Sequence, residues 1–229
     1  TETVEMSDKP SDVMRTKKNS SMYRSIISVL ETDSQAVLSC GNTGALMALS
    51  LLNIKPLDSI KRPAIASIWP NLNGESIVLD LGANIKSTSQ YLVDNAILGS
   101  SLASSLLKIK NPSVGLLNVG KEDNKGNEIV NEASLKLTEL KVKGLINYAG
   151  YIEGSDISSG KTNVVITDGF TGNVALKTAE GTARMIKTFL KDTLNSSIIS
   201  KLGSFFASFA LDSLRSKLDP SIHNCGIFV

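Results

Sequence analysis

Short apolar runs alternate with longer amphipathic stretches along most of the chain. The apolar runs at residues 35–39, 64–69, 76–80, 114–119, 144–148 and 163–167 predict buried strands. The amphipathic stretches predict helices at residues 21–30, 43–53, 89–108, 128–140 and 172–194. The opening residues around Pro10 follow neither pattern, so we expect them to be irregular. Continuous apolar strands separated by helices are typical of a three-layer α/β fold with a mostly parallel sheet.

No internal repeat or low-complexity linker divides the sequence, which predicts a single α/β domain over residues 1–229. The length of 229 residues and the 41% hydrophobic content are enough to form a substantial core. No apolar run approaches the roughly 20 residues that a membrane-spanning helix needs, and no leader peptide is recognisable. These observations lead us to expect a cytoplasmic protein.

Charge and rare residues exclude several classes of function. The net charge of +2 argues against a general nucleic-acid-binding protein. His223 is the single histidine, so two-histidine metal motifs are impossible, and its place in the tail favours no catalytic role. Cys40 and Cys225 cannot form a disulfide framework, and Cys40 is interpreted as a small packed thiol. We predict neither a metal site nor a bound cofactor.

Four predicted strands are followed by loops rich in glycine, asparagine and threonine. These loops are residues 39–44, 80–84, 118–122 and 168–173. Glycine lets the backbone approach a ligand closely, and the amides at the start of a following helix attract anions. Each loop alone is explained by turn chemistry. Four such loops, all at the carboxyl ends of strands, predict a shared polar cleft for an anionic ligand.

Candidate site residues come from these loops and from the start of the following helices. Lys177 places a cation in the first turns of a helix, against the positive end of the helix dipole, and a bound anion would offset that conflict. The candidate catalytic residues are Asn42, Thr43, Asp168 and Lys177. The candidate phosphate- or substrate-binding residues are Gly41, Gly44, Arg62, Asn84, Asn118, Gly172 and Asn173.

Residues 184–217 form an amphipathic, basic tail. They hold six basic and two acidic side chains, a local charge of +4, so the rest of the chain carries −2. The candidate membrane-binding residues in this segment are Ile198, Ile199, Leu202, Phe205, Phe206 and Phe209. An aromatic-rich basic helix suits an anionic membrane surface or an acidic protein partner, while an ordinary core or dimer helix stays an equal alternative.

The motifs together resemble those of the PlsX family of phosphate acyltransferases. The resemblance rests on the stretches at residues 9–11, 19–22, 39–47, 62–64, 79–84, 115–120, 125–126, 168–174, 176–178 and 180–181. Their order and spacing agree over nearly the whole chain. Three positions depart from the family pattern: Cys40 stands where alanine is usual, Lys86 where aspartate is usual, and His223 where tyrosine is usual.

The resemblance implies a fold similar to isopropylmalate dehydrogenase and phosphotransacetylase, with a protruding amphipathic helical segment. It implies transfer of a fatty acyl group from acyl carrier protein to inorganic phosphate, which would supply a PlsY-type acyltransferase in phospholipid synthesis. A homodimer and peripheral association with the membrane are also implied. A further strand before these residues and a glycine-rich segment after them are expected from the same resemblance.

The expected mechanism is direct attack by phosphate on the thioester carbonyl without a covalent enzyme intermediate. We place phosphate near Asn42, Thr43 and Lys177, and Asp168 would orient Lys177 or an amide. Three alternatives stay open: a phosphate acetyl- or butyryltransferase that uses acyl-CoA, a non-enzymatic module that binds membrane or carrier protein, and a dehydrogenase of the same fold.

Overall fold

A computed structural model describes residues 2–54, 56, 60, 62–122, 125–197, 199–200, 203, 206–208, 211 and 225–228. The helices are α1 (Pro10–Thr16), α2 (Ser21–Glu31), α3 (Thr43–Asn53), α4 (Ser89–Leu106), α5 (Glu128–Val142), α6 (Gly154–Ser159) and α7 (Gly169–Asn195). The strands are β1 (Ala64–Asn71), β2 (Gly74–Leu79), β3 (Ser113–Leu117), β4 (Asn147–Ile152), β5 (Val164–Ile166) and β6 (Cys225–Phe228). His223 lies outside the described residues.

The chain divides into two compact units. The first comprises Thr1–Ile65 with Ile227–Val229, and the second comprises Ala66–Gly226. In the first unit, α3 packs against α1 and α2. The core of this unit consists of apolar side chains that are nearly or fully buried: Val4, Val13, Met22, Ile26, Ala45 and Leu49.

The second unit is built on a mostly parallel sheet, as predicted. The strand order is β4-β3-β5-β2-β1-β6. Strands β3, β4, β5 and β2 pair in parallel, while β1 forms an antiparallel hairpin with β2. Helix α4 packs against β5 and β2, and α5 packs against β4 and α4. The carboxyl ends of the parallel strands therefore meet at one edge of the sheet.

Side-chain caps fix where the long helices begin. Ser20, Asn42, Thr88, Asn127 and Asp168 precede α2, α3, α4, α5 and α7 and accept a hydrogen bond from the backbone amide three residues later. Such caps satisfy an amide that has no partner within the helix. The predicted helix at residues 43–53 is confirmed at both ends, and the other four predicted helices are confirmed with small shifts of their ends.

Three local predictions differ from the structure. Residues 35–39 form no strand, and Leu38 is 92% exposed, because no strand within the described chain pairs with this run. The opening segment contains α1, since proline is well accommodated at the first position of a helix. Strand β4 begins three residues later than predicted, because Gly144, with φ of 71°, lies in the turn that follows α5.

Helix α7 starts in direct contact with the end of β2. A Cβ atom at Gly172 would lie only 1.9 Å from the backbone oxygen of Asp80 and 2.8 Å from Thr167 Cγ2. Backbone cannot retreat as a flexible side chain can, so this contact requires glycine. Gly181 lies nine residues further along α7, and a Cβ atom there would meet nothing within 4 Å.

We predict that Gly172→Ala destabilises the protein by about 1–3 kcal/mol through steric overlap with Asp80, as overpacked sites do. Gly181→Ala is the matched control, and we expect it to stabilise the helix by about 0.5–1 kcal/mol. Urea denaturation followed by circular dichroism measures both changes. Equal stability of the two variants would contradict the close contact.

Candidate active site

Three parallel strands end in polar residues at the same edge of the sheet. Strand β2 is followed by Asp80, β3 by Asn118, and β5 by Thr167 and Asp168. Both β2 and β3 pair in parallel with β5, which lies between them. The structure therefore brings together the predicted loops at residues 80–84, 118–122 and 168–173, which all belong to the second unit.

The buried carboxylate of Asp80 organises the loop after β2. Its side chain is fully buried. Oδ1 accepts hydrogen bonds from the amides of Gly82 at 3.1 Å and Ala83 at 2.8 Å, and Oδ2 accepts one from the amide of Asn84 at 2.8 Å. A buried charge is costly unless donors satisfy it. These amides fold the loop back over the end of β2.

Tyr91, in the first turn of α4, completes the ring of donors around Asp80. Its hydroxyl donates to Asp80 Oδ2 at 2.8 Å and accepts from Asn84 Nδ2 at 2.7 Å. Burial, and then the negative charge of Asp80, hold the pKa of the Tyr91 hydroxyl well above its ordinary value. The phenol therefore stays protonated and remains a donor to Asp80.

The loop after β5 joins the loop after β2 at the start of α7. Asp168 accepts hydrogen bonds from the Thr171 amide at 2.9 Å and the Thr171 hydroxyl at 2.7 Å, while the Gly169 amide donates to the backbone oxygen of Asn84 at 3.0 Å. Asn173 lies beside Gly82, whose φ is 134°. The carboxylate of Asp168 thus orients an amide of the helix start.

An apolar cavity of about 560 Å³ opens beside these loops. Its volume is within the range of small-molecule sites, about 300–1,000 Å³. Polar side chains in the lining are Asn118, Asp168 and Thr171 at the carboxyl edge of the sheet, together with Asn127, Ser158 and Thr178. The apolar lining is provided by Trp69, Leu117, Val119, Val130, Ile157, Val174, Ala175 and Ala179. The site therefore combines a largely apolar wall with polar residues at the carboxyl edge of the sheet.

Asn118 and a salt bridge hold the loop after β3, which forms part of the cavity wall. Asn118 Nδ2 donates to the backbone oxygen of Lys125 at 3.1 Å, and its Oδ1 accepts from the Val119 amide at 2.9 Å. Lys121 Nζ lies 3.0 Å from Asp156 Oδ2 in α6. The Glu153 amide, and then Lys121, hold the pKa of Asp156 below its usual value. Asp156 in turn raises the pKa of Lys121.

Lys177 lies two turns into α7 and is largely exposed. Its ammonium group contacts Glu180 Oε2 at 3.0 Å and Oε1 at 3.1 Å. An exposed pair of this kind contributes only about 0–1 kcal/mol, so exchange of Glu180 for another anion is inexpensive. The proposed catalytic role of Lys177 stays a prediction.

The candidate site residues of the loop at residues 39–44 lie in the first unit and make structural contacts there. Asn42 caps α3, and its Nδ2 donates to the backbone oxygens of Met6 at 3.1 Å and Asp8 at 3.0 Å. A Cβ atom at Gly41 would meet Met22 at 2.9 Å, and one at Gly44 would meet Pro10 at 3.1 Å. Thr43 and Arg62 are exposed, and their ligand-binding roles stay predictions.

Cys40 is exposed, so its interpretation as a small packed thiol is wrong.

In the amphipathic tail, Ile199 and Phe206 are each 83% exposed. The other four predicted membrane-binding residues, Ile198, Leu202, Phe205 and Phe209, lie outside the described residues. Among the helices that can be described, none is both long and apolar enough to cross a bilayer.

Sequence reasoning missed Tyr91, Thr171 and Trp69 as parts of the site. Thr171 could have been recognised, because it stands three residues after a capping Asp168, the spacing at which a cap contacts the helix. Tyr91 and Trp69 carry no such local signal. They reach the site only through the packing of α4 and β1 in the second unit.

The sequence is similar to a family model and to several phosphate acyltransferases. A family model described as fatty acid synthesis protein matches residues 1–229. A phosphate acyltransferase of Azorhizobium caulinodans is 51% identical over 227 residues, covering 99% of this chain and 64% of that protein. A phosphate acyltransferase of Brucella ovis is 46% identical over 227 residues, covering 99% of this chain and 65% of that protein. The chain thus spans slightly less than two thirds of the length of these relatives.

Solved structures share the fold. The EutD phosphotransacetylase from Staphylococcus aureus has a TM-score of 0.51 and 18% identity, covering 74% of this chain and 61% of that one. A phosphotransacetylase from Streptococcus pyogenes has a TM-score of 0.55 and 16% identity, covering 69% and 54% of the two chains. The predicted similarity to the phosphotransacetylase fold is confirmed.

We predict that Tyr91→Phe destabilises the protein by about 1.5–3 kcal/mol, because it removes a hydrogen bond to a buried charge. Tyr151→Phe is the matched control, since Tyr151 is also buried but its hydroxyl donates to the neutral oxygen of Asn131 at 2.9 Å. The control is expected to lose only about 0.5–1.5 kcal/mol. Chemical denaturation compares the two, and an equal loss would argue against a charged acceptor.

The contribution of Asp156 to stability is expected to depend on pH. Because its pKa in the folded protein is below the ordinary 3.8, its stabilising effect is fully present above that ordinary value and is lost as the pH falls through the lower folded value. Asp156→Asn should therefore lower the melting temperature at pH 7 and match the wild type at strongly acidic pH. Thermal scans over a pH series measure this, and a difference that persists undiminished in acid would contradict it.

Proposed function

The chain belongs to the fatty acid synthesis protein family, which includes the PlsX-type phosphate acyltransferases, and we propose that it transfers a fatty acyl group from a carrier-bound thioester to inorganic phosphate. The observation that carries this proposal is an apolar cavity that reaches polar residues at the carboxyl edge of the sheet. A fatty acyl chain needs apolar walls, whereas its carbonyl carbon must meet a charged nucleophile. The cavity offers both environments side by side.

The acyl chain would lie along Leu117, Val130 and Val174, with its thioester carbonyl at the end marked by Asn118 and Thr171. Ala175 and Ala179 lie one turn apart on α7 and leave room along the same wall. Burial of methylene groups against such a wall contributes about 0.8 kcal/mol per group. Long-chain donors would therefore bind more tightly than acetyl donors.

Phosphate would bind at the start of α7, where the Asn173 side of the helix meets the loop after β2 and the Thr171 side meets the cavity. Asn173 and Lys177 stand four residues apart, so their side chains share one face of the helix, which is turned away from the cavity-lining face of Val174 and Thr178. Asn173 makes no side-chain hydrogen bond within the described part of the chain. Lys177 could exchange Glu180 for phosphate at little cost. Asn84 and Asn118, which bind neighbouring groups through their amides, would act by holding the loops in place.

The reaction needs no covalent enzyme intermediate. A phosphate oxygen attacks the carbonyl carbon and forms the new C–O bond, while the carbonyl electrons move to the oxygen. The tetrahedral intermediate then collapses, the C–S bond breaks, and the thiolate leaves on the carrier and takes a proton from solvent. Positioning of the two reactants and donors to the oxyanion supply the catalysis.

The finer features of the proposal come from the family resemblance. The donor would be acyl carrier protein, and the acyl phosphate would serve a PlsY-type acyltransferase in phospholipid synthesis. The protein would act as a homodimer in the cytoplasm, with peripheral attachment to the membrane through its amphipathic tail. Five of the predicted site residues lie in the first unit, and their roles stay predictions: Gly41, Asn42, Thr43, Gly44 and Arg62.

We expect phosphate-dependent formation of acyl hydroxamate when the protein is incubated with palmitoyl-acyl carrier protein, phosphate and hydroxylamine. Hydroxylamine traps acyl phosphate, so omission of phosphate is the direct control. Product from short acyl-CoA donors alone would favour an acetyl- or butyryltransferase. Binding of carrier or vesicles without any product would favour a non-enzymatic binding module.

A pair of variants assigns the acyl chain to the cavity. Ala179→Leu narrows the cavity and should raise KM for the palmitoyl donor by about tenfold while affecting a butyryl donor little. A misfit of one methylene group in an apolar pocket costs about 1–3 kcal/mol of binding free energy. Ala183→Leu, one turn further along α7, is the control and should leave both values unchanged. An equal effect of Ala179→Leu on both chain lengths would remove the cavity from the acyl site.

A further inference from the structure

A row of cations runs along α7 away from the candidate active site. Lys177, Arg184, Lys187 and Lys191 follow Asn173 at spacings of three, four or seven residues, which place them on one face of the helix. Arg184, Lys187 and Lys191 are exposed. We call these three residues the basic row. With a rise of about 1.5 Å per residue, it begins about 16 Å from Asn173 and ends about 27 Å from it.

The basic row has no acidic partners within the described part of the chain. Elsewhere in that part, five lysines each contact an acidic side chain: Lys17, Lys121, Lys125, Lys136 and Lys177. Arg184 and Lys187 are instead neighbours at i,i+3, and Lys187 and Lys191 at i,i+4, so their charges repel each other in the free protein. An acidic surface placed against the row would relieve this repulsion.

The apolar side chains of the same helix segment point in another direction. Met185, Ile186 and Phe189 are each about half exposed. At about 100° per residue, they lie roughly opposite the basic row around the helix axis. A helix bound at a membrane surface places its apolar face into the lipid with cations along the borders of that face. A flat bilayer could not contact both the apolar side chains and the basic row at once.

We propose that the basic row is the docking surface for an acidic protein that carries the acyl group as a thioester. This inference rests on the proposed function, because a tethered thioester must be delivered close to Asn173 and the cavity. The basic row begins about 16 Å along α7 from Asn173 and lies on the same face of the helix as Asn173 and Lys177, where the phosphate site is proposed. Complementary charge would speed encounter and fix orientation, and both effects weaken with salt.

The test reverses all three charges in the full chain: Arg184→Glu, Lys187→Glu and Lys191→Glu. The matched control is Lys110→Glu, Lys141→Glu and Lys143→Glu, which makes the same number of reversals. These lysines are exposed and lie before β3 and β4, at the opposite edge of the sheet from the candidate site. Circular dichroism verifies that both variants fold.

The expected result is a KM for palmitoyl-acyl carrier protein raised about tenfold or more in the basic-row variant, with kcat within about twofold of wild type. Turnover of a carrier-free palmitoyl-pantetheine thioester should be unchanged, as should every parameter of the control. In the wild type, KM for the carrier substrate should rise with added NaCl. An unchanged carrier KM in the basic-row variant would overturn the proposal.

Two further measurements separate the remaining outcomes. If the wild type turns over neither donor, the proposed function fails, and docking is then judged by fluorescence anisotropy with labelled carrier protein: about tenfold weaker binding by the variant supports it, and equal binding overturns it. Binding of the wild type and the basic-row variant to vesicles with about 30 mol% phosphatidylglycerol tests whether the row binds a membrane. Loss of vesicle binding by the variant together with an unchanged carrier KM would assign the row to lipid. If the triple variant does not fold, Lys187→Gln with Lys191→Gln takes its place with the same readouts.

Discussion

The carboxylate of Asp80 carries a negative charge that is fully buried at the end of β2, and the surrounding loops are arranged by the need to satisfy it. Three consecutive backbone amides and the hydroxyl of Tyr91 donate to its two oxygens. In an environment of low polarity such charge-assisted hydrogen bonds are strong, and loss of any donor leaves part of a charge unsatisfied. The loop over residues 80–84 is therefore rigid for an electrostatic reason.

The start of α7 depends on this loop. The Gly169 amide donates to the backbone oxygen of Asn84, and Gly172 approaches the backbone oxygen of Asp80 too closely for any side chain. Asp168 then caps the helix through Thr171. Because α7 also forms one wall of the apolar cavity, the buried charge at Asp80 indirectly sets the position of that wall. The polar loop at residues 80–84 and the apolar cavity wall are thus connected through the start of α7.

Helix α7 connects three features with different chemistry. Its first three turns border the cavity, its third turn also bears Lys177, and its later turns bear the basic row on one side and exposed apolar side chains on the other. A single continuous helix of 27 residues keeps these features in fixed register, about 1.5 Å per residue. The proposed delivery of a carrier-bound acyl group to the polar end of the cavity uses this register.

The sequence by itself determined the α/β class, the starts of helices such as α3 at Thr43, and the loops in which candidate residues lie. These follow from local periodicity and capping, which need only neighbours along the chain. It did not determine that residues 35–39 form no strand, since an apolar run becomes a strand only where another strand pairs with it. Nor could it determine that Tyr91 binds Asp80, that Trp69 lines the cavity, or that Lys177 pairs with Glu180 in this structure. Those contacts were decided by tertiary structure, because packing of the helices and the parallel strands brings together side chains that periodicity alone cannot relate.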